Sequence, residues 1–64
     1  MSDYTPRLKQ VLRVAGCSFV RPGKGDHEIW FSPITGIRFV VDSYIKSRHT
    51  ANAVLKQAGL PKQF

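Results

Sequence analysis

The sequence predicts an α+β domain of order α-β-β-β-α, in which a three-stranded antiparallel sheet carries two helices on one face. Three observations lead there. Apolar residues recur with helical period near both ends of the chain. Between them lie three short runs rich in aromatic and β-branched residues, parted by proline and glycine. The length of 64 residues allows one domain and one small core, because a chain of this size buries only about 60% of the surface its unfolded form exposes.

The first helix is expected from about Thr5 to Ala15. Leu8, Val11, Leu12 and Ala15 fall at i, i+3, i+4 and i+7, on one helical face. Thr5 and Pro6 read as N-cap and first helical residue, since proline lacks an N–H that would go unpaired there. Gly16 closes the run as a C-terminal cap. Arg7, Lys9 and Arg13 lie off the apolar stripe.

The period then changes. Cys17 to Arg21 is a β-favouring run stopped by Pro22-Gly23, and His27 to Phe31 is a second. Ser32 to Gly36 reads as a turn, and Ile37 to Val41 as a third strand. Connections this short favour an antiparallel meander. After the polar stretch Asp42 to Arg48, a second helix is expected from about Thr50 to Ala58. Ala51, Val54, Leu55 and Ala58 repeat the helical spacing, Ser47 or Thr50 supplies the cap, and Gly59 and Pro61 end the helix. With both helices on one face, the other face of the sheet is left to solvent or a partner. Phe19, Phe39, Cys17 and one of Trp30 and Phe31 are assigned to the core.

Charge narrows the partners. Ten Lys+Arg against four Asp+Glu leave +6 at neutral pH, with 42% hydrophobic residues. This is a folding composition with a basic surface, not a disordered basic tail, and its natural partner is a polyanion. An acidic protein would draw on the same charge. The single Cys17 can neither close an internal disulfide nor supply a multi-cysteine zinc site, as expected in a reducing, cytoplasmic compartment. The polar start MSDYTPRLKQ does not read as a secretory signal, and no apolar run approaches the ~18 residues of a membrane span. A small core also rules against a large enclosed cavity, which leaves activity to an open surface.

No zinc pattern, phosphate-cradling loop or paired carboxylates occur, and the acids Asp3, Asp26, Glu28 and Asp42 are too scattered to hold Mg²⁺. No metal or cofactor is expected. The densest chemistry is Gly23-Lys24-Gly25-Asp26-His27-Glu28. It offers a pliable loop, a cation, and a histidine where loop becomes strand. Histidine titrates near neutrality, at about 6.5 when unperturbed, so it exchanges protons under ordinary conditions. RNA cleavage asks for a base at the 2′-hydroxyl, an acid at the leaving 5′-oxygen, and cations for the developing phosphorane charge. His27 with one or two basic side chains meets that need without metal, because RNA carries its own nucleophile. A surface histidine at a strand start can equally be without function.

The helix closing on Ala15-Gly16, the basic strand after it, Gly23 to Trp30 (GKGDHEIW) and the closing helix Ala53 to Leu60 (AVLKQAGL) together resemble the HicA family of toxin mRNA interferases. The resemblance runs from about Thr5 to Pro61. It implies a fold similar to a double-stranded-RNA-binding domain. It also implies a ribosome-independent endoribonuclease that cuts mRNA and arrests growth until a HicB-type antitoxin binds. Carried over residue by residue, His27 is the catalytic histidine. Gly25 is the motif glycine, whose small size lets the loop approach RNA. Two departures stand out: Asp26 replaces a common serine, and Glu28 a common second histidine. Val41-Asp42-Ser43-Tyr44 also replaces a proline- and histidine-containing stretch of many relatives, so contacts there do not carry over.

Lys24, Arg38, Lys46 and Arg48 are the candidate phosphate contacts, with Lys24 foremost through its closeness to His27. His49 ranks below His27, because a helix start disfavours its protonated form. Trp30 is a candidate base-stacking residue if it is not core. Glu28 assists His27 only if the two share a face, which strand alternation opposes. A non-catalytic RNA-binding module on the same basic face is the alternative, and an adaptor for an acidic protein a third reading. No oligomeric state follows from the sequence.

Overall fold

A computed structural model describes residues 3–64 and has the expected order: α1 (Thr5–Val14), β1 (Ser18–Pro22), β2 (His27–Phe31), β3 (Arg38–Asp42) and α2 (Arg48–Gln57). The strands form one antiparallel sheet in the order β1-β2-β3. Trp30, Phe39 and Val41 from the sheet join Leu8 and Leu12 of α1 and Ala51, Val54 and Leu55 of α2 in one buried cluster. Both helices therefore cover the same sheet face. Cys17 is buried and unpaired, as expected of a small hydrophobe. No helix among the described residues is long and apolar enough to cross a membrane.

Tertiary contacts move several boundaries. Tyr4, not Thr5, is the N-cap of α1, and Pro6 is its second residue. The Thr5 hydroxyl is drawn instead to Ile45, whose backbone N–H donates to Thr5 Oγ1 at 2.8 Å, while Asp3 Oδ1 accepts the Thr5 N–H at 3.1 Å. An acid with a free acceptor fits the positive end of a helix, so Asp3 takes the cap's work. The second helix begins two residues early, at Arg48, because Ser47 caps it by accepting the His49 N–H at 3.2 Å. β1 and β3 are each shifted one residue towards the C-terminus of their expected runs.

Phe19 is not core. It is 50% exposed on the edge strand β1, where a register shift between Phe19 and Arg21 bends the strand. Its ring still meets Trp30 edge-on, with centroids 6.4 Å apart. Packing also reaches past Pro61. Asn52 holds the chain end through Gln63 N–H, Phe64 N–H and Phe64 O, and the Phe64 ring meets Tyr4 edge-on at 5.3 Å.

One polar hub had no signal in the sequence. Ser32, fully buried, donates from Oγ to the Ala58 carbonyl at 2.7 Å and accepts the N–H groups of Ile34 and Thr35. It ties the β2–β3 turn to the end of α2, where Gly59 takes φ +83° with Ile34 and Thr35 packed against it. A side chain at Gly59 would meet both strain and overlap.

Candidate functional site

Alternation along the strands sorts the side chains of the sheet. On β2, Trp30 is buried and Glu28 reaches α1, so both point to the helices. His27, Ile29 and Phe31 consequently face the other way, as do Arg38, Val40 and Asp42 of β3. Trp30 is thereby excluded as a base-stacking surface, and Phe31, half-buried opposite Arg38, is the aromatic that the open face presents.

Glu28 does not assist His27. Its carboxylate accepts the Trp30 indole N–H at 2.9 Å and pairs with Lys9 at 3.1 Å, on the helix side. The Trp30 hydrogen bond is the largest cause holding its pKa below the ordinary value; partial burial opposes this, and Lys9 and Arg13 add to it. Arg13 also lies over the Trp30 ring, 5.6 Å from its centroid. Lys9 and Arg13 are thus occupied in building the fold.

A depressed carboxylate pKa stabilises the fold above the unfolded value and ceases to do so as pH falls through the folded one. Stability should therefore hold from pH 7 to about 5 and decline below about 4.3. Glu28→Gln, which keeps an acceptor for Trp30 but loses the charge, should flatten that decline at a cost under about 1 kcal/mol at pH 7. Thermal unfolding across the pH range checks this. An unchanged acid decline in the variant would assign the decline to other carboxylates.

His27 has a different partner. It stands opposite Asp42 in the β2–β3 register, and its Nε2 lies 3.0 Å from Asp42 Oδ1. Both side chains remain about half exposed, at 53% and 46%. The loop of residues 23–26 is folded back on this pair. Gly23 N–H donates to the His27 carbonyl at 2.7 Å, and Ser43 N–H donates to the Asp26 carbonyl at 3.1 Å. A Cβ on Gly23 would lie 3.3 Å from that of His27, so this glycine, read from the sequence as a strand stop and a pliable loop residue, also makes room for the histidine. Gly25 has a different part: its φ of +65° turns the loop, and a Cβ there would meet nothing within 4 Å.

Lys24 lies in this loop and Arg48 heads α2, both exposed and without a side-chain hydrogen bond or ion pair among the described residues. Lys46 is also exposed but is folded over the Tyr44 ring, 5.0 Å from its centroid. Ser43, bonded to Asp26, begins the segment that leads through Lys46 to Arg48. That segment departs from the end of the sheet where His27 lies. Arg38 is elsewhere. It pairs with Phe31, four residues from His27 along β2, or about 13 Å at 3.3 Å per residue. His49 lines a shallow depression of about 300 Å³ with Asn52, Ala53 and Lys56, and no bond or ion pair joins it to His27.

The open face thus holds a histidine–carboxylate pair at one end, a cationic loop beside it, and an arginine–aromatic pair at the other end. Among the described residues no three His, Cys, Asp or Glu side chains gather as a metal site would require. Comparison with protein-family models, curated proteins and solved structures finds nothing that matches this chain.

Proposed function

We propose that the chain is a cytoplasmic endoribonuclease toxin, of the kind its resemblance to the HicA family implies, in which His27 transfers the proton during metal-independent cleavage of mRNA. The placement of His27 carries the reading. It is half exposed on the open sheet face, held by a carboxylate on one side and flanked by the Lys24 loop on the other.

His27 takes the proton of a ribose 2′-hydroxyl as that oxygen attacks the adjacent phosphorus. The bond from phosphorus to the 5′-oxygen breaks, and the leaving oxygen gains a proton from the imidazolium or from water. The products are a 2′,3′-cyclic phosphate and a 5′-hydroxyl. Lys24 is the cation nearest to His27 in sequence, and a cation beside the reacting group counts most for the charge on the phosphorane. Arg38 lies too far along the strand for that role. It suits a flanking phosphate, with Phe31 beside it for a base. Lys46 and Arg48 extend the basic surface beyond β3. Covering this surface is what a HicB-type antitoxin would have to do to silence the enzyme.

The purified protein, incubated with single-stranded RNA in EDTA over a series of salt concentrations, should bind more weakly as salt rises and should shorten the RNA. RNA that is bound with the same salt dependence but stays intact would favour the non-catalytic RNA-binding module instead.

A further inference from the structure

We infer that Tyr44 is a base-stacking residue, whose ring holds the base of a nucleotide flanking the bond that His27 cleaves. The part that concerns cleavage rests on the RNA-cleaving reading; the stacking contact needs only that the chain binds RNA.

Tyr44 does nothing for the core. It belongs neither to the buried cluster nor to the side chains packed on that cluster, and it is 53% exposed. Among the described residues one other aromatic is as open to water, Phe19 at 50%. Phe19 pairs with Trp30 across the sheet and its ring meets the Trp30 ring, which places it on the helix face, away from His27. A ring kept in water without a packing role has its apolar area available to a ligand.

The backbone holds Tyr44 at the end of the sheet where His27 lies. Ser43 N–H donates to the Asp26 carbonyl at 3.1 Å, so Tyr44 follows one partner of this bond as His27 follows the other. Asp42 stands opposite His27 and Tyr44 is two residues further on, which keeps the Cα atoms of His27 and Tyr44 within about 12 Å. On the other side Ile45 is buried. Its N–H donates to Thr5 Oγ1 and its carbonyl accepts the Tyr4 N–H, both at 2.8 Å. The exposed ring thus sits between two anchored residues, so little backbone freedom is lost when a base settles on it.

Charge identifies the occupant. The Lys46 ammonium lies over the ring, 5.0 Å from its centroid, and makes no ion pair among the described residues. An RNA nucleotide offers both groups their complement, a flat base for the ring and a phosphate for the ammonium. The chain then presents two rings to one strand, Tyr44 near His27 and Phe31 four residues away along β2.

The test compares two uncleavable strands of equal length, a 2′-O-methylated RNA and a sugar–phosphate strand without bases. Loss of a stacking aromatic weakens binding by about 5- to 150-fold. With Lys46 over part of the ring, Tyr44→Ala should weaken the base-bearing strand by about 5- to 30-fold. The baseless strand should change less than about twofold, and the salt dependence of binding should stay as in the wild type, because no cation is removed. Tyr44→Phe, which keeps the ring and the fold, should bind within about threefold of the wild type. On cleavable RNA, Tyr44→Ala should raise KM by the same factor and keep kcat within about threefold. Equal losses on both strands would overturn the inference, as would a Tyr44→Phe protein as weak as Tyr44→Ala. No loss on either strand would also overturn it and leave the ring to a protein partner. A wild type that binds RNA but does not cut it ends the RNA-cleaving reading, and the two strands still decide the stacking contact.

Discussion

Replacing His27 with alanine should lower RNA cleavage by about 10²- to 10⁴-fold, the range expected when a positioned proton-transfer group is removed. The protein should remain folded. The side chain is about half exposed, and its contact with Asp42 is of a surface kind, worth at most about 1 kcal/mol. RNA binding should persist, because Lys24, Arg38 and Arg48 are untouched. Cells expressing the variant should grow where the wild type arrests them. His49→Ala is the matched control, since that histidine lines a separate depression on α2 and should leave cleavage within about twofold. Single-turnover rates, with thermal unfolding of each variant, measure all of this. Equal rates for wild type and His27→Ala would remove the histidine from the chemistry.

The second large effect is on stability. Trp30→Ala should cost about 3 to 5 kcal/mol, comparable to everything a core of this size supplies. Three interactions converge on that ring. It is 2% exposed at the centre of the core, its N–H is donated to Glu28, and Arg13 covers one face. The variant should be largely unfolded at room temperature. Phe19→Ala should cost only about 1 kcal/mol, because half of that side chain is already in water. Urea unfolding distinguishes the two. A Trp30→Ala protein with near-native stability would mean that the packing of the sheet against the helices is not what holds the fold.

Local signals made most of the architecture readable. The stripes of Leu8, Leu12, Ala51, Val54 and Leu55 need only helical periodicity, and each of these residues is buried. Alternation alone placed Glu28 on the face opposite His27. The misreadings have a common cause in contacts between residues far apart in sequence. Thr5 looks like a cap until Ile45, forty residues away, claims its hydroxyl. Phe19 looks like core until its strand proves to be an edge with an irregular register. Ser32 is an ordinary turn residue until α2 ends above it.

Asp42 is the instructive omission. His27 was visible as a histidine at a loop–strand junction, but its partner depends on which residues face each other across the β2–β3 turn. A slip of one residue would send Asp42 to the helix side. A turn that closes Phe31 on Arg38 sets His27 opposite Asp42. Composition had only pointed to a polyanion. The structure separates the charges, with Lys9 and Arg13 engaged in the fold and Lys24, Arg38 and Arg48 on the exposed surface.

The most direct measurement uses one RNA strand in two forms, natural and with every 2′-hydroxyl methylated, each incubated with excess protein in EDTA. The wild type should cut the natural strand to 2′,3′-cyclic phosphate and 5′-hydroxyl ends and leave the methylated strand whole, and His27→Ala should leave both whole. A wild type that spares the natural strand, or that cuts the methylated one, would contradict proton transfer by His27 from the RNA's own hydroxyl.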